Sequence, residues 1–411
     1  MKLDLTQIAD ISNEKLQITG SKSEANRLLI LQALYPKIAI ENLSNSDDSQ
    51  VMQEAIASTD ELVDIHHAGT AMRFLTSYFA TRANRKTVLT GSARMQQRPI
   101  KILVDALKDL GADIAYQKEE GYPPIVLKGK KLSKSKVSLK ANVSSQYISS
   151  LMLVAPSLEN GLEITLEGKV TSVPYIKMTL SLLKEIGVTG SFENNVIKIA
   201  PKVTSNASTI VVESDWSSAS YFYSLVALSK NAKIELGSYK KSSYQGDAAL
   251  AEVYKNLGVK TSYENNKITL EKITEVSPNK DAFDGVLDLA NSPDIAQTIA
   301  VTCFGLCVSC HLTGLHTLKI KETDRLEALK AEIEKLGGSV SITENALKLE
   351  VASKIKSGVA IDTYQDHRMA MAFAPLALRT SLVINEAEVV SKSYPDFWSD
   401  MKKLGFKIAE L

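Results

Sequence analysis

The sequence predicts an α/β (α+β) protein of two similar domains, each built from three copies of one supersecondary unit. Three observations carry this expectation. The chain has 411 residues, too many for one ordinary hydrophobic core. A helix ending in Leu-Gly or Ile-Gly recurs, with its glycine at positions 111, 187, 258, 337 and 405, about 70–80 residues apart. Segments that are apolar nearly all round precede the amphipathic helices.

The apolar segments are 28–35, 71–80, 147–156, 219–228, 295–306 and 369–378. A helix apolar on every side is a buried helix. A strand-like run follows each, as in Thr87-Val88-Leu89-Thr90, Leu162-Glu163-Ile164-Thr165-Leu166 and Ser381-Leu382-Val383-Ile384. An amphipathic surface helix comes next, and its glycine supplies a left-handed C-cap. Hairpins with Asn turns close the unit, as in Phe192-Glu193-Asn194-Asn195-Val196 and Tyr263-Glu264-Asn265-Asn266-Lys267. The first copy is short, because no hairpin follows Val51-Met52-Gln53-Glu54-Ala55-Ile56. Symmetry places one cut near Gly20 and another near 212–215. The domains expected are 20–213, and 1–19 together with 214–411.

Composition excludes several classes of function. A net charge of +1 gives no global field to hold nucleic acid or a membrane surface, so anion binding must come from local clusters. The N-terminal MKLDLTQIAD has no apolar signal core, which points to a cytoplasmic chain. The longest apolar stretch, 295–310, is short for a membrane span and contains Gln297. Cys303, Cys307 and Cys310 fall inside that stretch at helical spacing, so they read as residues of one buried helix rather than a metal site. The run 128–140 holds six lysines with no interleaved aromatics and reads as a solvated loop.

The chemistry concentrates at helix starts. Lys321-Glu322-Thr323-Asp324-Arg325 opens an amphipathic helix that runs to Gly337-Gly338. Lys321 and Arg325 are four apart and share a face, with Glu322 between them as a proton-carrying carboxyl. Ser21-Lys22-Ser23-Glu24-Ala25-Asn26-Arg27, Gly69-Thr70-Ala71-Met72-Arg73, Ser144-Ser145-Gln146 and Asp366-His367-Arg368 open four of the buried helices. Ser and Thr there are good N-caps. Lys and Arg there oppose the helix dipole, a conflict that a bound anion resolves. Converging on one cleft, such termini suit a multiply anionic small molecule. Arg98 and Lys392 precede surface helices with Pro nearby, and Ser172 holds the matching place in the third copy. Asp288, directly ahead of the fifth buried helix, is either a cap or a working carboxylate.

SKSEANR, HAGTAMR, QQRPI, SSQYISSLM, SVPY, QGD, KETDRLEAL, DHRMAMAF and KSYPDFW, in that order over residues 21–398, resemble the 5-enolpyruvylshikimate-3-phosphate synthase family. The resemblance implies two enolpyruvyl-transferase domains, each of three βαβαββ repeats (an inverse α/β barrel), with the active site in the interdomain cleft. It implies transfer of the carboxyvinyl group of phosphoenolpyruvate to the 5-hydroxyl of shikimate 3-phosphate, with loss of phosphate, in chorismate and aromatic amino-acid biosynthesis. No metal or organic cofactor is implied. Matching residues for shikimate 3-phosphate are Lys22, Ser23, Arg27, Ser144, Ser145, Gln146, Ser172, Asp288, Thr317 and Lys321. Those for phosphoenolpyruvate are Lys22, Gly69, Arg98, Gln146, Arg325, Arg368 and Lys392. Asp288 is expected to take the proton of the attacking hydroxyl, Glu322 to protonate the methylene carbon of phosphoenolpyruvate, and Lys22 to assist the departing phosphate.

Thr317 and His67 stand where the family usually has Asn, and Phe74 where it usually has Pro. The sister family acting on UDP-N-acetylglucosamine usually carries a reactive loop cysteine, and KETDR favours the shikimate enzyme. An inactive anion-binding protein of the same fold would be expected to lose Asp288, Glu322 or the arginines, all of which are present. The expected partners are the two small-molecule substrates, with no nucleic acid and no membrane, and the chain is expected to be a monomer.

Overall fold

The structure, a computed structural model, describes every residue except 141–143, 169, 171–172, 203–206 and 353. The chain divides into two compact units, one of Gly20–Val212 and one of Met1–Thr19 with Glu213–Leu411.

The βαβαββ repeat is directly visible in the second unit. Strand Asp281–Asp288, helix Ala296–Gly305, strand Ser309–Thr313, helix Arg325–Lys335 and hairpin Val340–Ile342/Leu347–Leu349 follow in order. The first two strands pair in parallel and the hairpin adds antiparallel to the second. The N-terminal residues complete the other two sheets of this unit. Leu3–Thr6 inserts antiparallel between Leu382–Ile384 and Lys407–Glu410, and Lys15–Leu16 pairs in parallel with Lys233–Gly237. The Gly20–Val212 unit has two four-stranded sheets of the same order. Its first repeat lacks a hairpin, and there Ile38–Glu41 pairs in parallel with Ser208–Val211.

The local chemistry explains the regularity. Gly111, Gly187, Gly258, Gly337 and Gly405 all have φ between +80° and +103°, the left-handed cap a side chain disfavours. Asn194, Asn195, Asn265 and Asn266 are likewise left-handed, as tight hairpin turns require. The buried helices carry small hydroxyls that pair across helix contacts. Ser77 meets Ser150 at 2.6 Å in one unit, and Ser220 meets Thr298 at 2.9 Å in the other. Each pair satisfies polar groups that apolar packing would otherwise strand.

Three expectations are corrected. Only Cys303 lies in the apolar helix, which ends at Gly305. Cys307 turns the chain with φ +56°, and Cys310 falls in the strand Ser309–Thr313. The lysine-rich run is not one loop: Lys136–Lys140 is a strand with Val137 and Leu139 buried and its lysines outward. The charged helix begins at Arg325 with Asp324 as N-cap, so Lys321 and Glu322 precede it.

Phe222 is fully buried in helix Trp216–Leu228 against Tyr394. Phe222→Ala is expected to cost about 3–5 kcal/mol in urea denaturation. An unchanged midpoint would be inconsistent with a close-packed helix here.

Candidate active site

In the Gly20–Val212 unit, Lys22 opens helix Lys22–Leu34, and its ammonium lies 3.7 Å from Asp48. One turn on, Arg27 is 2% exposed. Its Nε donates to Thr179 Oγ1 at 2.9 Å, Nη1 to the Ser23 carbonyl at 2.7 Å and Nη2 to Ser149 Oγ at 2.9 Å. Its guanidinium faces the Phe74 and Tyr175 rings at 5.3 and 5.6 Å. Burial pulls its pKa down to about 10, so it stays a cation at neutral pH. Each Nη makes one hydrogen bond among the described residues.

Helix Gly69–Thr81 begins beside Arg98. A Cβ at position 69 would lie 2.5 Å from Arg98 Nη1, so glycine leaves room for that guanidinium. The buried Arg73 ties this corner together by donating to the carbonyls of Gly69 at 3.1 Å and Pro99 at 3.3 Å. Burial, and then the neighbouring Arg98 charge, bring its pKa to about 10. Gln146 Nε2 donates to Thr70 Oγ1 at 3.1 Å, from a helix capped by Ser144 and with Ser145 buried in its first turn. Ser172 lies outside the described residues.

In the other unit, Arg325 is the hub. Its Nε donates to Asp366 at 2.6 Å, Nη1 to Asp294 at 2.8 Å and Nη2 to Glu322 at 2.7 Å. Burial disfavours the charge, but the carboxylates of Asp366, Glu322 and Asp294 prevail and hold its pKa well above the ordinary arginine value. Lys321 Nζ also reaches Asp294, at 3.5 Å. Arg368 Nη1 donates to the Asp294 carbonyl at 3.3 Å and Nη2 to Ser217 Oγ at 3.2 Å. Its buried Nε has no hydrogen-bond partner among the described residues.

Asp288 ends its strand and accepts from the Ala290 N–H at 2.9 Å. Gly314, at φ +78°, passes so close that a Cβ there would lie 2.5 Å from Asp288 Oδ1. The Thr317 hydroxyl oxygen is buried with no partner among the described residues. Lys392 Nζ donates to the Gln365 carbonyl at 2.8 Å, not to a carboxylate. No cluster of three or more metal-ligating residues occurs among the described residues. No helix among them is long and apolar enough to cross a membrane.

Sequence reasoning found the cations and missed groups that hold them. Asp294, Asp366, Ser217 and Asp247 are the residues it did not assign. Asp247 accepts from the Ser217 hydroxyl and is buried. Burial, then the Asp294 charge, push its pKa up to about 7, against Arg368 and Ser217, which lower it. The available signal was charge balance: clustered cations in a small volume need counter-charges.

The family model for EPSP synthase (3-phosphoshikimate 1-carboxyvinyltransferase) matches residues 51–401. A protein of Bacteroides fragilis (strain ATCC 25285) named 3-phosphoshikimate 1-carboxyvinyltransferase is 46% identical over 398 residues, covering 96% of this chain and 95% of its own. One of the same name from Mannheimia haemolytica is 33% identical over 441 residues, covering 99% and 100%. Among solved structures, an EPSP synthase from Acinetobacter baumannii superposes with a TM-score of 0.80 at 21% identity, covering all of both chains. The enolpyruvyl transferase NikO from Streptomyces tendae gives 0.74 at 13% identity, over 99% and 98%. At those identities the structural likeness establishes the mixed α/β fold.

Two outcomes are expected from this geometry. The folded state binds the Asp247 proton more tightly than the unfolded chain does, so stability is lost as pH rises from the ordinary carboxylate range toward 7. Asp247→Asn should therefore raise the thermal midpoint at pH 8 by more than at pH 5. Equal shifts at both would show that Asp247 does not titrate this way. Gly314→Ala should displace Asp288 and lower turnover by at least about 10-fold. Full turnover would show that the carboxylate's place is not set there.

Proposed function

The chain belongs to the EPSP synthase family, and we infer that it is a transferase moving the carboxyvinyl group of phosphoenolpyruvate onto the 5-hydroxyl of shikimate 3-phosphate, with release of phosphate. The observation that carries the site assignment is Arg325. It brings Glu322, a candidate proton donor, into the same cluster as Lys321 and Arg368.

In the proposed reaction, Asp288 accepts the proton of the attacking hydroxyl as its oxygen bonds to the central carbon of phosphoenolpyruvate. Glu322 delivers a proton to the methylene carbon, which becomes methyl and leaves the central carbon electrophilic for that attack. Elimination then returns a methyl proton to Glu322, breaks the bond from carbon to phosphate oxygen and restores the double bond. Lys22 acts as the acid that gives the departing phosphate its proton, and the hydroxyl proton held by Asp288 is the one that replaces it, so every group ends as it began. Fixed cations are worth most where charge develops away from water. Phosphoenolpyruvate would be held by Lys22, Gly69, Arg98, Gln146, Arg325, Arg368 and Lys392. Shikimate 3-phosphate would be held by Lys22, Ser23, Arg27, Ser144, Ser145, Gln146, Ser172, Asp288, Thr317 and Lys321. The Thr317 hydroxyl, unpartnered among the described residues, supports that division. The proposal takes 20–213 and 1–19 with 214–411 as the two enolpyruvyl-transferase domains. It takes the chain as a cytoplasmic monomer, the monomer supported by exposed large apolar residues that are scattered along the chain rather than grouped in one segment.

Phosphate release is expected only when both substrates are present, and Glu322→Gln should lower it about 10²–10⁴-fold. Unchanged release in Glu322→Gln would remove the proton-donor role. Release with UDP-N-acetylglucosamine in place of shikimate 3-phosphate would overturn the substrate assignment.

A further inference from the structure

Arg368 is gripped by groups to which the reaction assigns no role. Nη2 donates to Ser217 Oγ at 3.2 Å, in the first turn of helix Trp216–Leu228. The Ser217 hydroxyl in turn donates to Asp247 Oδ2. A serine hydroxyl has one proton. With that proton committed to Asp247, the oxygen turns lone pairs toward Arg368, which has only donors to offer. Were the acceptor absent, the hydroxyl could rotate and point its proton at the guanidinium.

The partners of Ser217 are themselves fixed. Asp247 sits in the turn Gly246–Ala249, whose Gly246 carbonyl accepts from Ser292 Oγ at 2.9 Å. The preceding Gln245 accepts from the Trp216 N–H at 2.9 Å and donates to the Ser214 carbonyl at 3.0 Å. The turn and the helix start are therefore pinned to each other. Arg368 Nη1 is held by the Asp294 carbonyl, while its buried Nε has no partner among the described residues. The guanidinium is thus anchored through Nη1 and Nη2, with Nε shut away from solvent.

We propose that Ser217, oriented by Asp247, is a positioning residue that sets the plane in which Arg368 presents its guanidinium to phosphoenolpyruvate. This rests on the reading of Arg368 as a phosphoenolpyruvate ligand. Asp294 and Asp215 also face Asp247, so removing the Asp247 charge alone alters the local field as well as the geometry. Ser217→Ala removes no charged group and so tests orientation more directly, while taking one stabilising hydrogen bond from the Asp247 carboxylate.

Steady-state kinetics on Ser217→Ala, Ser217→Thr, Asp247→Ala, the Ser217→Ala/Asp247→Ala double variant and Arg368→Lys test the proposal. Ser217→Ala is expected to raise KM for phosphoenolpyruvate about 10-fold, the worth of one hydrogen bond to a charged group. KM for shikimate 3-phosphate and saturated kcat should stay within about twofold, since only uniform binding of one substrate is lost. Ser217→Thr, which keeps the hydroxyl, should restore KM. The orientational penalty of Asp247→Ala should vanish in the Ser217→Ala background, because Asp247 acts through that hydroxyl. If Arg368→Lys raises KM for phosphoenolpyruvate while Ser217→Ala does not, the positioning role is wrong and the ligand reading stands. If Arg368→Lys leaves that KM unchanged, the ligand reading fails and the proposal with it. Parallel rises in both KM values with an early thermal midpoint would mark a merely structural serine and overturn the proposal.

Discussion

The cation Arg325 and its three carboxylates fix the chemistry-bearing part of the second unit. The partners come from three separate segments: Asp294 ahead of helix Ala296–Gly305, Asp366 at the cap of helix His367–Phe373, and Glu322 in the loop before the arginine's own helix. A guanidinium 2% exposed is costly to desolvate, and well-made carboxylate bonds offset that cost. The same bonds make the hub unforgiving. Removing one buried partner typically costs about 3–5 kcal/mol, because the others are left charged and unpaired. The position of Glu322 is therefore set by fold energetics.

The two units carry their cations differently. Arg325 and Arg368 are surrounded by carboxylates, and their pKa values rise well above the ordinary arginine value. Arg27 and Arg73 are equally buried, yet their described hydrogen-bond partners are hydroxyls, carbonyls and a thioether, and their pKa values fall to about 10. An uncompensated buried cation gains most from an incoming anion. A compensated one gains less charge stabilisation but offers a fixed geometry. The difference is one of counter-charge: Arg27 has the buried Glu24 as a charged neighbour, whereas Arg325 has three carboxylates in direct contact.

The repeats were legible because they are written in local chemistry. A glycine C-cap and an Asn-Asn turn need only their own φ values, so Gly187 and Asn194 announce themselves in sequence. What failed was set by tertiary context. Helical spacing cannot show that Cys307 turns the chain and delivers Cys310 to a strand. Lysine content hid the alternation of Val137 and Leu139 in Lys136–Lys140. At the site, motifs carried Arg325 and Arg368 by resemblance to a family. Their supports, 41 residues away for Asp366 and 151 for Ser217, depend on packing that no local pattern encodes.

That difference in support has a chemical logic. Asp294 gives its short contact to Arg325, at 2.8 Å, and leaves Arg368 at 3.6 Å. A short ion pair on Arg368 would fix its direction but spend its charge on a protein carboxylate. A hydroxyl between Asp247 and Arg368 passes on direction and leaves the guanidinium free of a short ion pair, while Asp294, Asp247 and Asp215 still stabilise its charge. The arrangement stores an unfavourable carboxylate, raised to about 7, in exchange for that freedom. Sites that bind and turn over a charged substrate are where such a trade of stability for function is expected.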